Sequence, residues 1–192
     1  MSKVPVLLTA LRALLAPVVV ALAAWYPNHR LFGACLIAAF LSDIFDGIIA
    51  RRLGIATANL RRLDSIADSA FYLCAALAVW MLYPGVIRQH RPGLLLLVLL
   101  EGVRYAVDFM KFGKEASYHM WSSKIWGIFL FLGFLSVLAF GQDGILVTCA
   151  IYVGVIADVE GLLISLTLRE WRTDVPSVLV ALRERAGGPT AP

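Results

Sequence analysis

Residues 31–53 read LFGACLIAAFLSDIFDGIIARRL, a stretch whose only charged side chains ahead of Arg51 and Arg52 are Asp43 and Asp46. A helix needs about 20 mostly apolar residues to cross a hydrocarbon core of about 30 Å, and this run supplies them. It shows no alternation of period two. An open strand would also leave backbone polar groups unpaired in lipid. The stretch therefore predicts a transmembrane helix, and one with two carboxylates inside it.

Five runs of similar length surround it, at 5–25, 63–83, 93–112, 121–141 and 144–168. The chain has 192 residues, 60% hydrophobic and 16% charged, whereas a soluble domain is nearer half apolar and a quarter charged. Its mean hydropathy is +0.82. The expected fold is all-α, with a single domain of six transmembrane helices over residues 1–168 and a polar tail over 169–192. Lys3 ahead of an apolar stretch ending in Ala21-Leu22-Ala23 has the outline of a secretory signal. Arg12 within that stretch, and the five later runs, favour a retained first helix.

Orientation follows from the basic residues. One set of connections carries Lys3, Arg51, Arg52, Arg61, Arg62, Lys111, Lys114, Arg169, Arg172, Arg183 and Arg185, and the other only Arg30, Arg88 and Arg91. The excess marks the cytoplasmic side, so both termini are expected there, as in a protein of the bacterial inner membrane. The net charge of +4 is a product of that bias, and no nucleic-acid partner is expected. In the tail, Val175, Val178, Leu179 and Leu182 fall at helical spacing beside Pro176. They predict a short amphipathic helix on the cytoplasmic leaflet. Cys35, Cys74 and Cys149 stand alone in apolar runs, without metal-ligand spacing or disulfide logic.

Ionisable groups inside spans are costly and by default functional. Asp43 and Asp46 lie near the cytoplasmic end of the second predicted helix, Asp64 and Asp68 at the cytoplasmic start of the third. Asp43 precedes Arg51 by eight residues, about 12 Å of helix, and Asp68 is similarly close to Arg62. All four carboxylates come to one depth. The i, i+3 and i, i+4 spacings put each pair on one helix face. Four ionised carboxylates in a low-dielectric site repel one another unless cations neutralise them, and hard oxygen ligands select Mg²⁺, Mn²⁺ or Ca²⁺, of which Mg²⁺ favours phosphate oxygens as its remaining ligands. A centre of two such ions, or of metal plus phosphate, is expected. Gly47 permits close approach of a ligand, and Arg51 can grip a phosphate bidentately.

Taken together, Asp43-x-x-Asp46-Gly47-x-x-Ala50-Arg51 and Asp64-x-x-x-Asp68 resemble the signature of the CDP-alcohol phosphotransferase family, with seven signature residues within 26 positions. Leu8-Thr9-x-x-Arg12 followed by Ala16-Pro17 resembles the first helix of its bacterial phosphatidylglycerophosphate synthase and cardiolipin synthase branch. The resemblance implies that an acceptor hydroxyl attacks the β-phosphorus of CDP-diacylglycerol and that CMP leaves. It makes Asp43, Asp46, Asp64 and Asp68 metal ligands, with Asp68 also the catalytic base. It sets Gly47, Ala50 and Arg51 beside the cytidine diphosphate, and Leu60 where the family has a glycine, narrowing the nucleotide pocket. A homodimer in the lipid bilayer is also implied.

Glu101, Arg104 and Asp108 share one face of the fourth predicted helix, and Lys111, Lys114 and Lys124 follow. In the family this region lines the acceptor pocket, so Arg104, Lys111, Lys114 and Lys124 are expected to bind a phosphorylated alcohol such as glycerol 3-phosphate. Alternative acceptors are phosphatidylglycerol and an inositol phosphate. A non-enzymatic cation transporter is the alternative from another class, but its acids would be strung through the bilayer rather than gathered at one depth.

Overall fold

A computed structural model describes residues 4–52, 58–116, 118 and 120–186, without the side chains of 50, 51 and 58–61. Among the described residues every regular element is a helix: α1 (Val4–Trp25), α2 (His29–Arg52), α3 (Ala58–Leu82), α4 (Pro84–Gln89), α5 (Arg91–Phe112), α6 (Trp121–Phe140), α7 (Ile145–Thr167) and α8 (Val178–Arg185). The six long helices coincide with the six apolar runs. The boundaries have local causes. Asn28 Oδ1 accepts the backbone N–H groups of Arg30 and Leu31 at 3.0 and 3.3 Å, capping α2. Gly113, at φ 71°, turns the chain out of α5 in the left-handed conformation and donates its N–H to Phe109 O.

Among the described residues, five helical segments are long and apolar enough to cross a membrane: Val4–Trp25, His29–Ile49, Arg62–Leu82, Trp121–Phe140 and Ile145–Thr167. Helix α5 falls short of the same standard because it carries Glu101, Arg104 and Asp108. An integral membrane protein follows from the five.

The helices form two compact units. The first comprises residues 1–89 and 134–144. Within it α1 packs along both α2 and α3, which touch each other only briefly. Val19, Phe32, Leu36, Phe71, Ala75, Ala78 and Leu138 fill its core, and Tyr72 stacks on Phe134 at 5.8 Å between ring centroids. Pairs of apolar helices associate through close packing rather than water exclusion. Small residues serve that purpose at Gly33, where an added Cβ would lie 3.3 Å from Ala139 Cβ.

The second unit comprises 90–133 and 145–192, with α5 against α7 and α8 against α7. Gly154 lets Trp126 and Leu97 approach α7 so closely that an added Cβ would meet Trp126 Nε1 at 2.6 Å. Helix α8 forms where the tail periodicity predicts one, but only part of the predicted face packs on the protein, Val175 and Val178 doing so. Val175 and Ala181 pack with Tyr118, Met120, Ile164 and Leu168, while Leu179 and Leu182 remain exposed. Packing on this cluster selects the smaller residues of the segment.

Candidate functional site

The site is built by three helices of the first unit. Asp43 and Asp46 project from one face of α2, Asp64 and Asp68 from one face of α3, and between them stands Arg12 of α1. Arg12 is the largest wholly buried side chain among the described residues, 1% exposed. Its Nη1 lies 3.2 Å from Asp43 Oδ1 and 3.2 Å from Asp64 Oδ1, and also pairs with Asp68 Oδ1. Its Nη2 donates to Asp46 Oδ2 at 2.6 Å. Its Nε donates to Ser42 Oγ at 3.4 Å, and Ser42 in turn donates to Ala39 O. One guanidinium thus meets all four aspartates of the motif.

Sequence reasoning brought the four acids together but did not see their arginine. Arg51 was the only basic residue assigned to this face, and its side chain lies outside those described, as do those of Ala50 and Leu60. A signal for Arg12 does exist. It follows Lys3 by nine residues, about 13 Å of helix, the same depth that separates Asp43 from Arg51. A buried charge in a span at the depth of four opposite charges is a candidate partner.

Asp46 and Arg12 form the floor of the cluster, the Asp46 side chain being 5% exposed. Asp43, Asp64 and Asp68 are its open side, with side chains 44%, 29% and 32% exposed. Their carboxylates offer three oxygens within 4.8 Å of one another. Four carboxylates against one guanidinium leave three negative charges uncompensated if all are ionised. Asp64 Oδ1 is buried and has no hydrogen-bond donor among the described residues. Converging hard oxygens, a surplus of negative charge and an orphaned carboxylate oxygen are what a divalent cation requires. The residues fit such an ion. Gly47 follows Asp46 within α2.

The four basic residues expected at the acceptor pocket lie in the second unit, and each already has a partner there. Arg104 Nη2 donates to Glu101 Oε1 at 2.7 Å, and its Nε stands 3.6 Å from Asp158 Oδ1. Gly161 makes room for the arginine, since a Cβ there would meet Arg104 Cδ at 3.0 Å. Lys111 Nζ donates to Ser165 O and Leu166 O at 2.7 and 2.9 Å, satisfying carbonyls at the end of α7. Lys114 sits over the Trp171 ring at 3.4 Å and Lys124 over Trp121 at 4.5 Å. Asp108, grouped with Glu101 and Arg104 by spacing, serves elsewhere. It accepts from Ser165 Oγ and from the Ala116 N–H, while Tyr118 OH and Ser165 Oγ lie 3.0 Å apart. Burial pushes the Tyr118 phenol up. This network pins the segment after α5 to α7.

A family model described as CDP-alcohol phosphatidyltransferase matches residues 2–167, nearly the whole chain. Neither a curated protein nor a solved structure gives a match.

Proposed function

The chain belongs to the CDP-alcohol phosphatidyltransferase family, and on that premise we propose that it transfers the phosphatidyl group of CDP-diacylglycerol to glycerol 3-phosphate, releasing CMP. Membership makes it an enzyme of phospholipid head-group transfer. The observation that carries the finer reading is the convergence of Asp43, Asp46, Asp64 and Asp68 around one buried cation. Asp43, Asp64 and Asp68 hold the divalent ions (two of them, Mg²⁺ or Mn²⁺) with Asp46 beneath. Bound there, such ions neutralise the pyrophosphate and stabilise charge developing on the departing phosphate.

The chain's own residues do the rest. Asp68 takes the proton of the acceptor hydroxyl as that oxygen bonds to the β-phosphorus, and the bond from phosphorus to CMP breaks. Gly47, Ala50 and Arg51 border the nucleotide, with Leu60 beside it. A phosphorylated acceptor draws support from Lys114 and Lys124, both exposed and placed over aromatic rings, contacts that a phosphate can replace. Arg104 and Lys111 are more firmly engaged. The test is an acceptor panel of glycerol 3-phosphate, phosphatidylglycerol and inositol phosphate, with purified enzyme and CDP-diacylglycerol. Phosphatidylglycerophosphate is the expected product. A product formed only from another alcohol would overturn the acceptor assignment and leave the chemistry standing.

In this reading residues 1–168 are the catalytic domain, α5 is the sixth span, residues 169–192 are a cytoplasmic tail, and the protein works as a homodimer in the bacterial inner membrane. Burying Arg104 against Glu101 and Asp158 lowers the cost of placing α5 in lipid. The site opens to the cytoplasm, where a soluble phosphorylated acceptor is found. A reporter fused after Arg185 is expected to read cytoplasmic, and one inserted at His90 extracytoplasmic. The reverse pattern would put the aspartates on the wrong side and rule out the proposed acceptor.

A further inference from the structure

We propose that Arg12 is a displaceable internal counterion: it holds the four aspartates together while the site lacks metal, and a divalent ion binds by taking Asp43, Asp64 and Asp68 away from it. The proposal rests on the metal-dependent reading above. Its basis is a coincidence of partners. The three residues whose carboxylate oxygens lie close enough together to hold an ion are the three that pair with Arg12 Nη1. The ion and the nitrogen draw on the same three carboxylates.

They compete for them. A divalent ion of the Mg²⁺ or Ca²⁺ kind draws its oxygens to about 2.0–2.6 Å, and Nη1 stands 3.2 Å from an oxygen on two of the same carboxylates. A cation bound among them repels the guanidinium at that separation, so Nη1 must withdraw. Hydrogen counting points the same way. A guanidinium terminal nitrogen carries two N–H groups, while Nη1 faces three carboxylates. Asp43 and Asp68 receive hydrogen bonds; Asp64 Oδ1 receives none among the described residues. Nη1 is oversubscribed, and the oxygen it fails to serve is the one with least to lose to an ion.

The remaining contacts of Arg12 lie outside that trio. Nη2 donates to Asp46, and Nε to Ser42, both on α2. These let the head turn away from the trio without leaving the helix pair. Position supplies the reason for such a device. Helices α2 and α3 touch little and are joined through α1. Without metal, the carboxylates of α2 and α3 repel one another, and Arg12 is the cation that keeps them at ligand spacing. The cost is that every ion bound must compete with it.

The experiment is Mn²⁺ titration of the detergent-solubilised full chain, followed by electron paramagnetic resonance, together with thermal unfolding in chelator and in Mn²⁺. Arg12→Gln removes the competitor and is expected to tighten Mn²⁺ binding about tenfold or more, as loss of a neighbouring positive charge should. The same variant should unfold at lower temperature than wild type in chelator and recover with Mn²⁺, so that its Mn²⁺-dependent rise in Tm exceeds that of wild type. Arg12→Lys keeps one charge but loses the fork. It should shift affinity in the same direction by less, and it decides the matter if the glutamine variant does not fold. Mn²⁺ affinity equal to or weaker than wild type in the folded variants would overturn the proposal and leave the metal reading intact. A wild-type chain that binds no Mn²⁺ would overturn both.

Discussion

Asparagine in place of Asp64 or Asp68 is expected to lower CMP release from CDP-diacylglycerol by about 10³-fold or more. The substitution keeps shape and volume, so it isolates charge. At position 64 it neutralises the carboxylate whose buried oxygen has no donor, and replaces an oxygen that can bind a metal with a group that can turn an N–H toward Arg12. At position 68 it removes a partner of Arg12 and, in the proposed chemistry, the base. Asp158→Asn is the contrasting variant. It is more deeply buried, at 3% exposure, but it faces Arg104 in the other unit. Its loss is expected to stay within about tenfold. Initial rates on purified variants at saturating donor make the comparison. An Asp68→Asn enzyme within tenfold of wild type would remove that residue from the chemistry.

Asp108→Ala is expected to cost about 3 kcal/mol, because it strands buried groups rather than merely deleting a contact. Asp108 is 2% exposed. It accepts from Ser165 Oγ and the Ala116 N–H, and through Ser165 it reaches Tyr118. Alanine leaves those groups without their acceptor in a space too tight for easy solvation. It also frees the segment that carries Tyr118 and Met120 into the cluster with Ile164, Leu168 and Val175. For a chain of this size the loss corresponds to a fall of roughly 6–12 °C in apparent Tm. Asp108→Asn retains an acceptor oxygen and should lose less than half as much. Thermal unfolding in detergent, followed by tryptophan fluorescence, measures both. Equal Tm values for wild type and Asp108→Ala would show that the network contributes nothing to stability.

The helices were legible because lipid imposes one rule on each of them. A run of about 20 apolar residues has no stable alternative to a helix, so α1, α2, α3, α6 and α7 could be drawn from composition alone. Helix α5 was legible for its apolar face, yet three charges keep it short of that standard. What buries Arg104, namely Asp158 more than fifty residues away, is a tertiary contact. Helix α8 shows a different limit. Periodicity located it and put Val175 and Val178 on the apolar face, but it also put Leu179 and Leu182 there, which stay exposed, and left out Ala181, which is buried. Hydrophobicity says which side chains prefer burial, and the shape of the receiving surface decides which fit.

The candidate site divides along the same line. Depth and i, i+3 or i, i+4 spacing brought four aspartates to one level, because both are properties of single helices. Arg12 stayed hidden because a lone charge in the first run names no partner. Only the placement of α1 against both α2 and α3 brings its guanidinium to all four acids. The basic residues of the acceptor region show the converse. Lys111, Lys114 and Lys124 look alike in sequence and each lies over an aromatic ring, but Lys111 alone of the three bonds to helix carbonyls among the described residues.

The central claim is that Asp43, Asp64 and Asp68, with Asp46 beneath them, hold divalent metal for phosphatidyl transfer. It is tested most directly by following CMP release from CDP-diacylglycerol and glycerol 3-phosphate, first in chelator and then after Mg²⁺ or Mn²⁺ is restored. CMP should be released only with the ion present, in equal amount to the lipid product, with activity returning when metal is added back. CMP released at full rate in chelator would contradict the account.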